Sequence, residues 1–559
     1  MLNKILEKNW LVQLLLVAFA ALLFIPFIGN MHLFDWDEIN FAESAREMLV
    51  THNYLTVQID FKPFWEKPPL FIWLQVLSMK LFGINEFAAR FPNAVCGIVT
   101  ILSLYNHGKK LFDSKFGLTW VFMYTCSILP YLYFKSGIID PWFNLFIFNG
   151  VAFFVYYIHA LMEKKVNGQQ IKNLIISAIF IGLAVMTKGP VAFLIFSITL
   201  AVFLLVIRFK MPIKPFHVVL YLLVFSFVGG FWFIVQWLTG HGSVIMDFIN
   251  YQIRLFSTQD AGHGGFFLYH FVVLLLGVFP ASVFALPVLL KLLPANTMQV
   301  LFQRWMILLF WTVLILFTIV KTKIVHYSSL CYFPITYLAA LYIYSLENQS
   351  YVPKKWVRNL QLIVGGLIAL AAIALPFVAM HLSWVLEKGW VDDAFAAGNM
   401  QAAVHWSGLE SSAGILLLAG LIYYGIQALK RPIIANSILL LSSIVCITLL
   451  TWMVTPRIEG YSQRAAIEFL EDISSKNARA YAVDYFSYAP LFYGKRQPSD
   501  NPKVYDMEWL LKGDLDQDTY FIVKVDQLAA NLEKYPTLEL IYEKNGFVFL
   551  KRKAFKNDK

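Results

Sequence analysis

Residues 217–238 read HVVLYLLVFSFVGGFWFIVQWL and contain no Asp, Glu, Lys or Arg. A helix crosses the ~30 Å hydrocarbon core of a membrane with about 20 mostly apolar residues, so this stretch is long enough to span one. Similar windows recur along the chain between short charged or Gly/Pro-bearing links. They predict thirteen transmembrane helices, near residues 11–29, 90–107, 116–134, 141–161, 171–187, 190–207, 217–238, 266–290, 304–320, 327–345, 359–381, 411–429 and 433–454.

The composition favours an all-α polytopic membrane domain and excludes an ordinary soluble enzyme. Hydrophobic residues make up 59% of the 559 positions and charged residues only 14%, against roughly 45–50% and about 25% in soluble domains. The four cysteines, Cys96, Cys126, Cys331 and Cys446, lie far apart in apolar stretches and form no CxxC pair. We therefore expect neither a disulfide framework nor a thiolate metal site.

The Lys and Arg residues predict the orientation, because short cytoplasmic loops hold the excess of positive charge. The apolar run behind Lys4 and Lys8 ends without an A-x-A-like cleavage site, so we expect a retained first span. With the N-terminus in the cytoplasm, every alternate loop is basic, through Lys109, Lys110 and Lys115; Lys164, Lys165 and Lys172; Arg208, Lys210 and Lys214; Lys291 and Arg304; Lys354, Lys355 and Arg358; and Lys430 and Arg431. The predicted location is a bacterial inner membrane.

The composition changes after the membrane domain, residues 1–455. Residues 456–559, here named the C-terminal domain, carry 16 Lys/Arg and 16 Asp/Glu, so the net charge of +10 belongs to the membrane domain. Apolar, β-rich runs alternate with helical patterns: the strands are predicted at 480–483, 520–525, 538–542 and 547–550, and the helices at 462–473 and 527–534. We expect a small soluble α/β domain, which an odd number of spans places in the periplasm.

The first periplasmic loop, residues 30–89, is the densest in charge. Its stretch 37–49, DEINFAESAREML, has apolar residues at 41, 45, 48 and 49, a pattern typical of an amphipathic helix lying in the membrane interface. A second interfacial helix is predicted from Pro68, because the first turn of a helix accepts proline.

Three residues on this side are candidates for chemistry, each with a simpler alternative. Asp37 is either a helix N-cap, worth about 1 kcal/mol, or a general base at the mouth of a cavity. Lys67, after Glu66, belongs either to a site or to a solvated turn with a snorkelling lysine. Asp140, before Pro141, is either a helix cap or an ionisable group that faces a site.

The other periplasmic junctions carry cations. Lys188 lies in a Lys-Gly-Pro reversal that otherwise serves as a hairpin link, and a polar loop runs from Arg254 to His263, although a lone His in a wet loop is usually without a role. Lys321 and Lys323 oppose the positive-inside trend and suit an anion such as a phosphate. Together the loops predict one cavity at the outer leaflet, acidic at one edge and basic at another, for a lipid-linked phosphate.

These segments resemble a known family, the bacterial aminoarabinose lipid A transferases and their protein O-mannosyltransferase relatives, which are membrane glycosyltransferases of the C-type fold. The matching pieces run in family order over most of the membrane domain: Asp37-Glu38 with Phe41 to Leu49, Trp65 to Leu74, Ile139-Asp140, Thr187 to Pro190, the Arg254 to His263 loop, and Lys321 to Lys323. The resemblance implies transfer of a sugar from a polyprenyl phosphate, such as undecaprenyl phosphate, to a lipid A, glycan or protein acceptor on the outer face. It implies no nucleotide-sugar site and no nucleic-acid partner.

The resemblance also assigns roles. Asp37 falls at the family's first-loop catalytic aspartate, and Lys67 and Asp140 fall at other active-site positions. Glu66 and His263 fall where a relative binds a divalent metal, which implies a structural metal and no cofactor for the chemistry. The predicted substrate-binding residues are Glu38, Arg46, Lys188, Arg254, Lys321 and Lys323. Phe41 stands where relatives commonly carry Tyr, so a hydroxyl is missing there.

The expected reaction is a single displacement at the anomeric carbon, with inversion and with the lipid phosphate leaving. Asp37 acts as base if the acceptor is a hydroxyl, and it positions or steers an acceptor that is already a nucleophilic phosphate. A transporter or flippase of a lipid-linked anion is the main alternative, but such proteins tend to show paired repeats, and none is evident in the sequence. A structural or sensor protein is the third class. The enzyme hypothesis requires Asp37, Lys67 and Asp140 to converge.

Overall fold

The computed structural model describes residues 8–163, 168–211, 213–257, 264–293, 296–476 and 478–555. The membrane domain is helical, as predicted. In the described part of the chain, nine helical segments are long and apolar enough to cross a membrane, and each matches a predicted span: Glu86–Leu111, Asp140–Met162, Gly168–Lys188, Pro215–Leu238, Thr297–Ile319, Val325–Glu347, Lys355–Met380, Leu409–Gln427 and Pro432–Gly460.

The other four predicted spans are helical but short or broken. Two are single helices of 16 residues, Asn9–Phe24 and Val191–Val206. The span predicted at 116–134 is divided into Ser114–Thr125 and Ile128–Tyr133. The span predicted at 266–290 is a bent pair, Tyr269–Gly277 and Ala281–Leu289, with 116° between its halves. Length and composition of the described residues thus support nine spans, or ten with the bent pair, and do not establish the count of thirteen.

The bent pair runs along most of the neighbouring helix Thr297–Ile319. Before the pair, Gly265 lies against the side chain of Lys323, just beyond the end of that helix. After the pair, Gln303 Nε2, in the second turn of the same helix, donates to the carbonyl oxygen of Lys291 at 2.9 Å. A helix of 23 residues is about 34 Å long. The pair therefore connects opposite ends of the bundle.

The bend between the two halves is held by hydrogen bonds. Gln361 Nε2 donates to the carbonyl oxygen of Pro280 at 2.9 Å. Ser282 Oγ donates to the carbonyl oxygen of Leu275 at 2.6 Å. Carbonyl groups that a broken helix leaves open are thus satisfied by side chains, as a membrane interior requires.

The first loop, residues 30–89, contains the two predicted helices, the first-loop helix Asp37–Thr51 and the second-loop helix Leu70–Phe82, with a short hairpin of β1 (Gln58–Ile59) and β2 (Lys62–Pro63) between them. The interfacial placement of the first-loop helix is corrected, because every residue from Glu38 to Met48 is buried. Its charged residues are bonded inside the protein, Glu38 to Arg90 and Arg46 to the carbonyl oxygen of Arg496 in the C-terminal domain.

The C-terminal domain is a small α/β unit, as predicted. A four-stranded sheet has the order β3 (Arg479–Ala482), β4 (Thr519–Lys524), β6 (Phe547–Arg552) and β5 (Glu539–Lys544), with β3 and β4 parallel and the other pairs antiparallel. Its helices are Arg464–Ser474, Ala489–Phe492, Met507–Lys512 and Leu528–Lys534, and further helices in the membrane domain's loops are Gly242–Ser257, Leu382–Glu387 and Ala394–Met400. The predicted boundary after residue 455 falls within the helical segment Pro432–Gly460.

The C-terminal domain and the first-loop helix share one hydrophobic core. Ile39 and Met48 of the helix belong to the same buried cluster as Leu470, Phe492 and Phe549. Apolar burial of this kind is worth about 25 cal/mol per Å². It holds the domain on the first loop.

The helix Glu86–Leu111 separates this loop from the basic loops. Arg90, in its second turn, pairs with Glu38 of the first-loop helix at 2.7 Å. Lys109, in its last turn, donates to Asn9 Oδ1 at 2.8 Å. The 26 residues of the helix extend about 39 Å. The first loop and the N-terminal helix start therefore lie at opposite ends of the bundle.

Candidate active site

A cavity of about 1120 Å³ opens where the first loop, the membrane helices and the C-terminal domain meet. Ordinary small-molecule pockets measure roughly 300–1,000 Å³, so this cavity has room for more than one small ligand. Asp37, Lys67 and Asp140 all line it, as the predicted convergence requires. Its other polar and charged walls include Asp35, Glu38, Asn40, Glu66, Asn144, Lys188, Arg254, His326 and Tyr488.

Glu38 fixes the position of two of the candidate residues. Its carboxylate accepts from Arg90 Nε at 2.9 Å and Nη2 at 2.7 Å, and from the backbone N–H of Phe34 at 2.9 Å. It also accepts from the backbone N–H of Gly137. The segment before Asp37 and the segment before Asp140 are thereby tied to the same buried ion pair.

Neither Asp37 nor Asp140 is a helix cap, so both simpler alternatives are wrong. Asp37 and Asp140 are each the first residue of their helix, and the preceding residues, Trp36 and Ile139, occupy the N-cap positions without a side-chain cap bond. Asp37 instead lies near His326, with 3.6 Å between Oδ2 and Nε2. Its side chain is 45% exposed, so it is accessible to a substrate.

Asp140 pairs with Lys188 deep in the cavity. Lys188 Nζ donates to Asp140 Oδ1 at 2.6 Å. Asp140 is 2% exposed, and its Oδ2 is buried without a hydrogen-bond partner among the described residues. Gly189, after Lys188, has φ +98°, and a Cβ there would lie 2.7 Å from the ring of Phe248. The Lys-Gly-Pro reversal therefore requires glycine at position 189. The turn places Lys188 beside Asp140.

A second cationic group surrounds the ring of Tyr251. Lys67 Nζ lies 5.3 Å from the ring centroid, and the Arg254 guanidinium carbon lies 5.2 Å from it. The Tyr251 hydroxyl donates to Glu66 Oε2 at 2.9 Å, and Glu66 Oε2 lies 3.9 Å from Lys67 Nζ. One aromatic ring therefore organises two cations and a carboxylate at the cavity wall.

The environment changes the ionisation of two cavity residues. Burial lowers the pKa of Lys67; the carboxylates of Glu66, Asp37 and Asp140 oppose that change, and the ammonium of Lys188 adds to it. Burial raises the pKa of Asp35 to about 6, although hydrogen bonds from Ser487 and Tyr488 oppose the rise. Both groups therefore titrate closer to neutrality than they would in water.

Four predicted substrate-binding residues are used within the protein or lie elsewhere. Glu38 lines the cavity, but both of its oxygens are bonded as described above. Arg46 is buried away from the lining residues, where it pairs with Glu43 at 2.6 Å and donates to the carbonyl oxygen of Arg496 at 2.8 Å. Lys323 Nζ donates to three carbonyls at the end of its preceding helix, at 2.7–3.0 Å. Lys321 is exposed and is not among the lining residues of the described chain.

Only one of the two predicted metal ligands lies among the described residues. Glu66 lines the cavity, whereas His263 lies outside the described residues, so a metal between them stays a prediction. Among the described residues, one other group has donor atoms close enough to share a metal ion, because those of His32, Glu86 and Glu471 lie within 4.8 Å of one another. None of these three lines the cavity.

Sequence reasoning missed several cavity residues. His326 follows Lys321 and Lys323 closely in the sequence but was not among the predicted site residues. Tyr251 lies on the helix Gly242–Ser257, just before the predicted polar loop, and Tyr488 comes from the C-terminal domain. A residue three positions after Asp37, Asn40, also lines the cavity; helical spacing from Asp37 was the available signal.

Comparisons with known proteins agree with this architecture. A family model described as dolichyl-phosphate-mannose-protein mannosyltransferase matches residues 66–231. The undecaprenyl phosphate-alpha-4-amino-4-deoxy-L-arabinose arabinosyl transferase of Wigglesworthia glossinidia brevipalpis is 26% identical over 382 residues, 66% of this chain and 64% of that protein. The transferase of the same name from Pectobacterium carotovorum is 26% identical over 455 residues, 75% of this chain and 77% of that protein. The alignment thus covers just under two thirds of the first relative's length.

The fold is that of a solved membrane transferase. The crystal structure of ArnT from Cupriavidus metallidurans bound to undecaprenyl phosphate superposes with a TM-score of 0.77 at 17% identity, covering 97% of this chain and 98% of that one. The apo structure of the same protein gives 0.74 with 98% coverage of both chains. The resemblance inferred from the motifs is therefore confirmed: the chain is a multi-pass membrane protein that is similar in sequence to these arabinosyl transferases and has the fold of ArnT.

Proposed function

We propose that this protein is a membrane glycosyltransferase that moves a sugar from a polyprenyl phosphate to lipid A. The observation that carries the proposal is the single cavity in which the accessible carboxylate of Asp37 shares the walls with Lys67, Lys188 and Arg254. The names of the curated relatives support a pentosyl donor of the aminoarabinose kind on undecaprenyl phosphate. A glycan or protein acceptor stays a prediction from the sequence.

The proposed reaction is one in-line displacement. A nucleophilic oxygen of the acceptor forms a bond to the anomeric carbon, the bond from that carbon to the phosphate oxygen breaks, and the lipid phosphate leaves with the electron pair. Lys67, Lys188 and Arg254 stabilise the negative charge on the leaving phosphate through charge-assisted hydrogen bonds in a site shielded from water.

Asp37 has one of two roles, according to the acceptor. A hydroxyl acceptor transfers its proton to the Asp37 carboxylate, which lies 3.6 Å from His326. A phosphate acceptor on lipid A is already an anionic nucleophile at neutral pH, and Asp37 then orients it. Asp140 keeps Lys188 in place in both cases.

We also infer that the cavity faces the periplasm. The cavity lies at the end of the bundle that holds Glu38 and Arg90, whereas Lys109 and the start of the N-terminal helix lie at the other end. Because short cytoplasmic loops carry the positive charge, the end with Lys109 belongs on the cytoplasmic side. Membrane-impermeant labelling of Trp65→Cys in intact spheroplasts tests this, and protection of that cysteine would contradict it.

The test of the activity uses purified protein in lipid nanodiscs with radiolabelled undecaprenyl-phosphate aminoarabinose and lipid A. Label that becomes covalently attached to lipid A, with the opposite anomeric configuration by NMR, is the expected result. A transporter would move the labelled lipid between leaflets of a vesicle without attaching label to an acceptor, and that outcome would overturn the proposal.

A further inference from the structure

Three aromatic side chains form one wall of the cavity. Trp36 precedes the first-loop helix, whereas Phe486 and Tyr488 come from the C-terminal domain, and all three line the cavity. Their ring centroids are 4.9 Å apart for Trp36 and Phe486 and 4.8 Å apart for Phe486 and Tyr488. Trp36 is 42% exposed and Phe486 is 57% exposed. This aromatic wall thus presents open ring surface to whatever occupies the cavity.

Beside the aromatic wall lies a buried acceptor without a donor. Asn40 is 7% exposed, and its Oδ1 has no hydrogen-bond partner among the described residues. Asn40 lies beside the Tyr488 hydroxyl and interacts with it, so it belongs to the same wall of the cavity. A buried acceptor without a partner is destabilising, and a ligand that donates a hydrogen bond to it would remove that cost.

The wall is held in place before any ligand binds. The Tyr488 backbone N–H donates to Asp35 Oδ1 at 3.3 Å, and the Asp35 backbone N–H donates to Gln463 Oε1 at 3.1 Å. Arg496, further along the C-terminal domain, pairs with Asp60 of the first loop at 2.8 Å. A surface ordered in advance loses little entropy on binding.

We propose that the C-terminal domain completes a sugar subsite, in which a sugar ring lies against Trp36 and Phe486 and a hydroxyl or amino group of that ring donates to Asn40 Oδ1. The combination fits a sugar because the ring has an apolar face and donor groups at its rim, whereas a polyprenyl chain offers no donor for Asn40. The inference rests on the proposed transferase function for the identity of the sugar. Either the donor sugar or the sugar backbone of lipid A has the required chemistry.

Binding to purified protein in nanodiscs tests the subsite without turnover. Three probes are compared: undecaprenyl phosphate without a sugar, undecaprenyl-phosphate aminoarabinose, and lipid A. In Phe486→Leu, which keeps an apolar side chain but removes the flat ring, and in Asn40→Ala, we expect a roughly tenfold weaker Kd for one of the sugar-bearing probes. The Kd for undecaprenyl phosphate is expected to stay unchanged, and the probe that weakens identifies the sugar.

Two variants control for indirect effects. Phe555→Leu removes an exposed aromatic of the same domain that does not line the cavity, so it should leave all three Kd values unchanged. Phe486→Trp restores a flat ring and should recover most of the affinity that Phe486→Leu loses. Unchanged affinity for both sugar-bearing probes in Phe486→Leu and Asn40→Ala would overturn the subsite. Tight, Phe486-dependent binding by a protein that never transfers label would instead refute the proposed function and leave the subsite standing.

Discussion

Two adjacent residues of the first-loop helix, Asp37 and Glu38, belong to two different groups of charges. Glu38 is part of an inner group with Arg90, Glu43 and Arg46, in which the pairs are buried and bonded at 2.6–2.9 Å. Asp37 is part of a cavity group with Glu66, Lys67, Asp140, Lys188 and His326. Apart from the pair of Asp140 and Lys188, the ion pairs of the cavity group are loose, at 3.6–3.9 Å.

The two groups differ in whether their charges are accessible to a substrate. In the inner group, burial and the neighbouring Glu43 carboxylate raise the pKa of Glu47, whose oxygens accept hydrogen bonds from the backbone N–H groups of Asp60 and Phe61. The cavity group keeps charges that a substrate can meet. Residues of the inner group should therefore affect folding when changed, and those of the cavity group should affect transfer.

The largest expected effect is in the inner group. Arg90→Met leaves the Glu38 carboxylate buried without its ion partner, which costs about 3–5 kcal/mol. We expect a lower yield of folded protein and a clearly lower Tm, measured by tryptophan fluorescence in detergent. Lys476→Met is the matched control, because its pair with Asp472 is exposed and worth at most about 1 kcal/mol. Equal Tm values for the two variants would show that the buried pair stabilises the protein no more than the exposed pair.

The next effect belongs to the cavity group. Asp37→Asn should reduce transfer of the radiolabelled sugar at least about a hundredfold, equivalent to about 2.7 kcal/mol of transition-state stabilisation. Its Tm should stay within a degree or two of the original, since Asp37 is 45% exposed. Asp472→Asn controls for loss of a carboxylate. Near-normal transfer by Asp37→Asn would show that Asp37 has no essential role in the reaction.

A third prediction concerns two lysines that look equivalent in the sequence. Lys323→Met removes three bonds from an ammonium to helix-end carbonyls and should cost about 2 kcal/mol of stability. Lys321→Met should cost almost nothing, because Lys321 is exposed. Neither change should alter the Kd for undecaprenyl phosphate. Weaker lipid binding in Lys323→Met at unchanged Tm would show that Lys323 contributes to ligand binding and not to stability.

The smallest effect is one of pH. Because the pKa of Lys67 is lowered, its ammonium is present below that pKa and lost as the pH rises through it, before 10.5. Donor binding should therefore fall at alkaline pH. Arginine stays charged beyond pH 12, so Lys67→Arg should keep binding the donor at the alkaline pH where the original protein loses it. An unshifted binding profile would assign the alkaline loss to another group.

The sequence predicts most of the secondary structure because local pattern decides it. Uninterrupted apolar runs identify the membrane helices, and alternation in the C-terminal domain identifies β3 to β6. The pattern fails where helices break, as at residues 266–290, since a bend fixed by Gln361 and Ser282 depends on contacts with distant residues. It also misplaces the first-loop helix, whose buried charges bond to residues distant in the sequence such as Arg90 and Arg496.

The candidate site is predictable to a lesser extent. Asp37, Lys67 and Asp140 stand out because charge is rare in this chain, and all three line the cavity. Their neighbours Glu38 and Arg46 are equally charged, and nothing in the sequence tells which side of a fully buried helix faces a cavity. Phe486 and Tyr488 are ordinary aromatics in a soluble domain until the fold brings them to the cavity wall.

The corner at Pro280 limits where movement is possible. The carbonyl groups of Pro280 and Leu275 already accept hydrogen bonds from Gln361 and Ser282, so straightening the bent pair would break both bonds. We therefore expect the corner to stay rigid and not to act as a hinge. A crosslink across the corner should therefore leave binding of the proposed lipid donor unaffected.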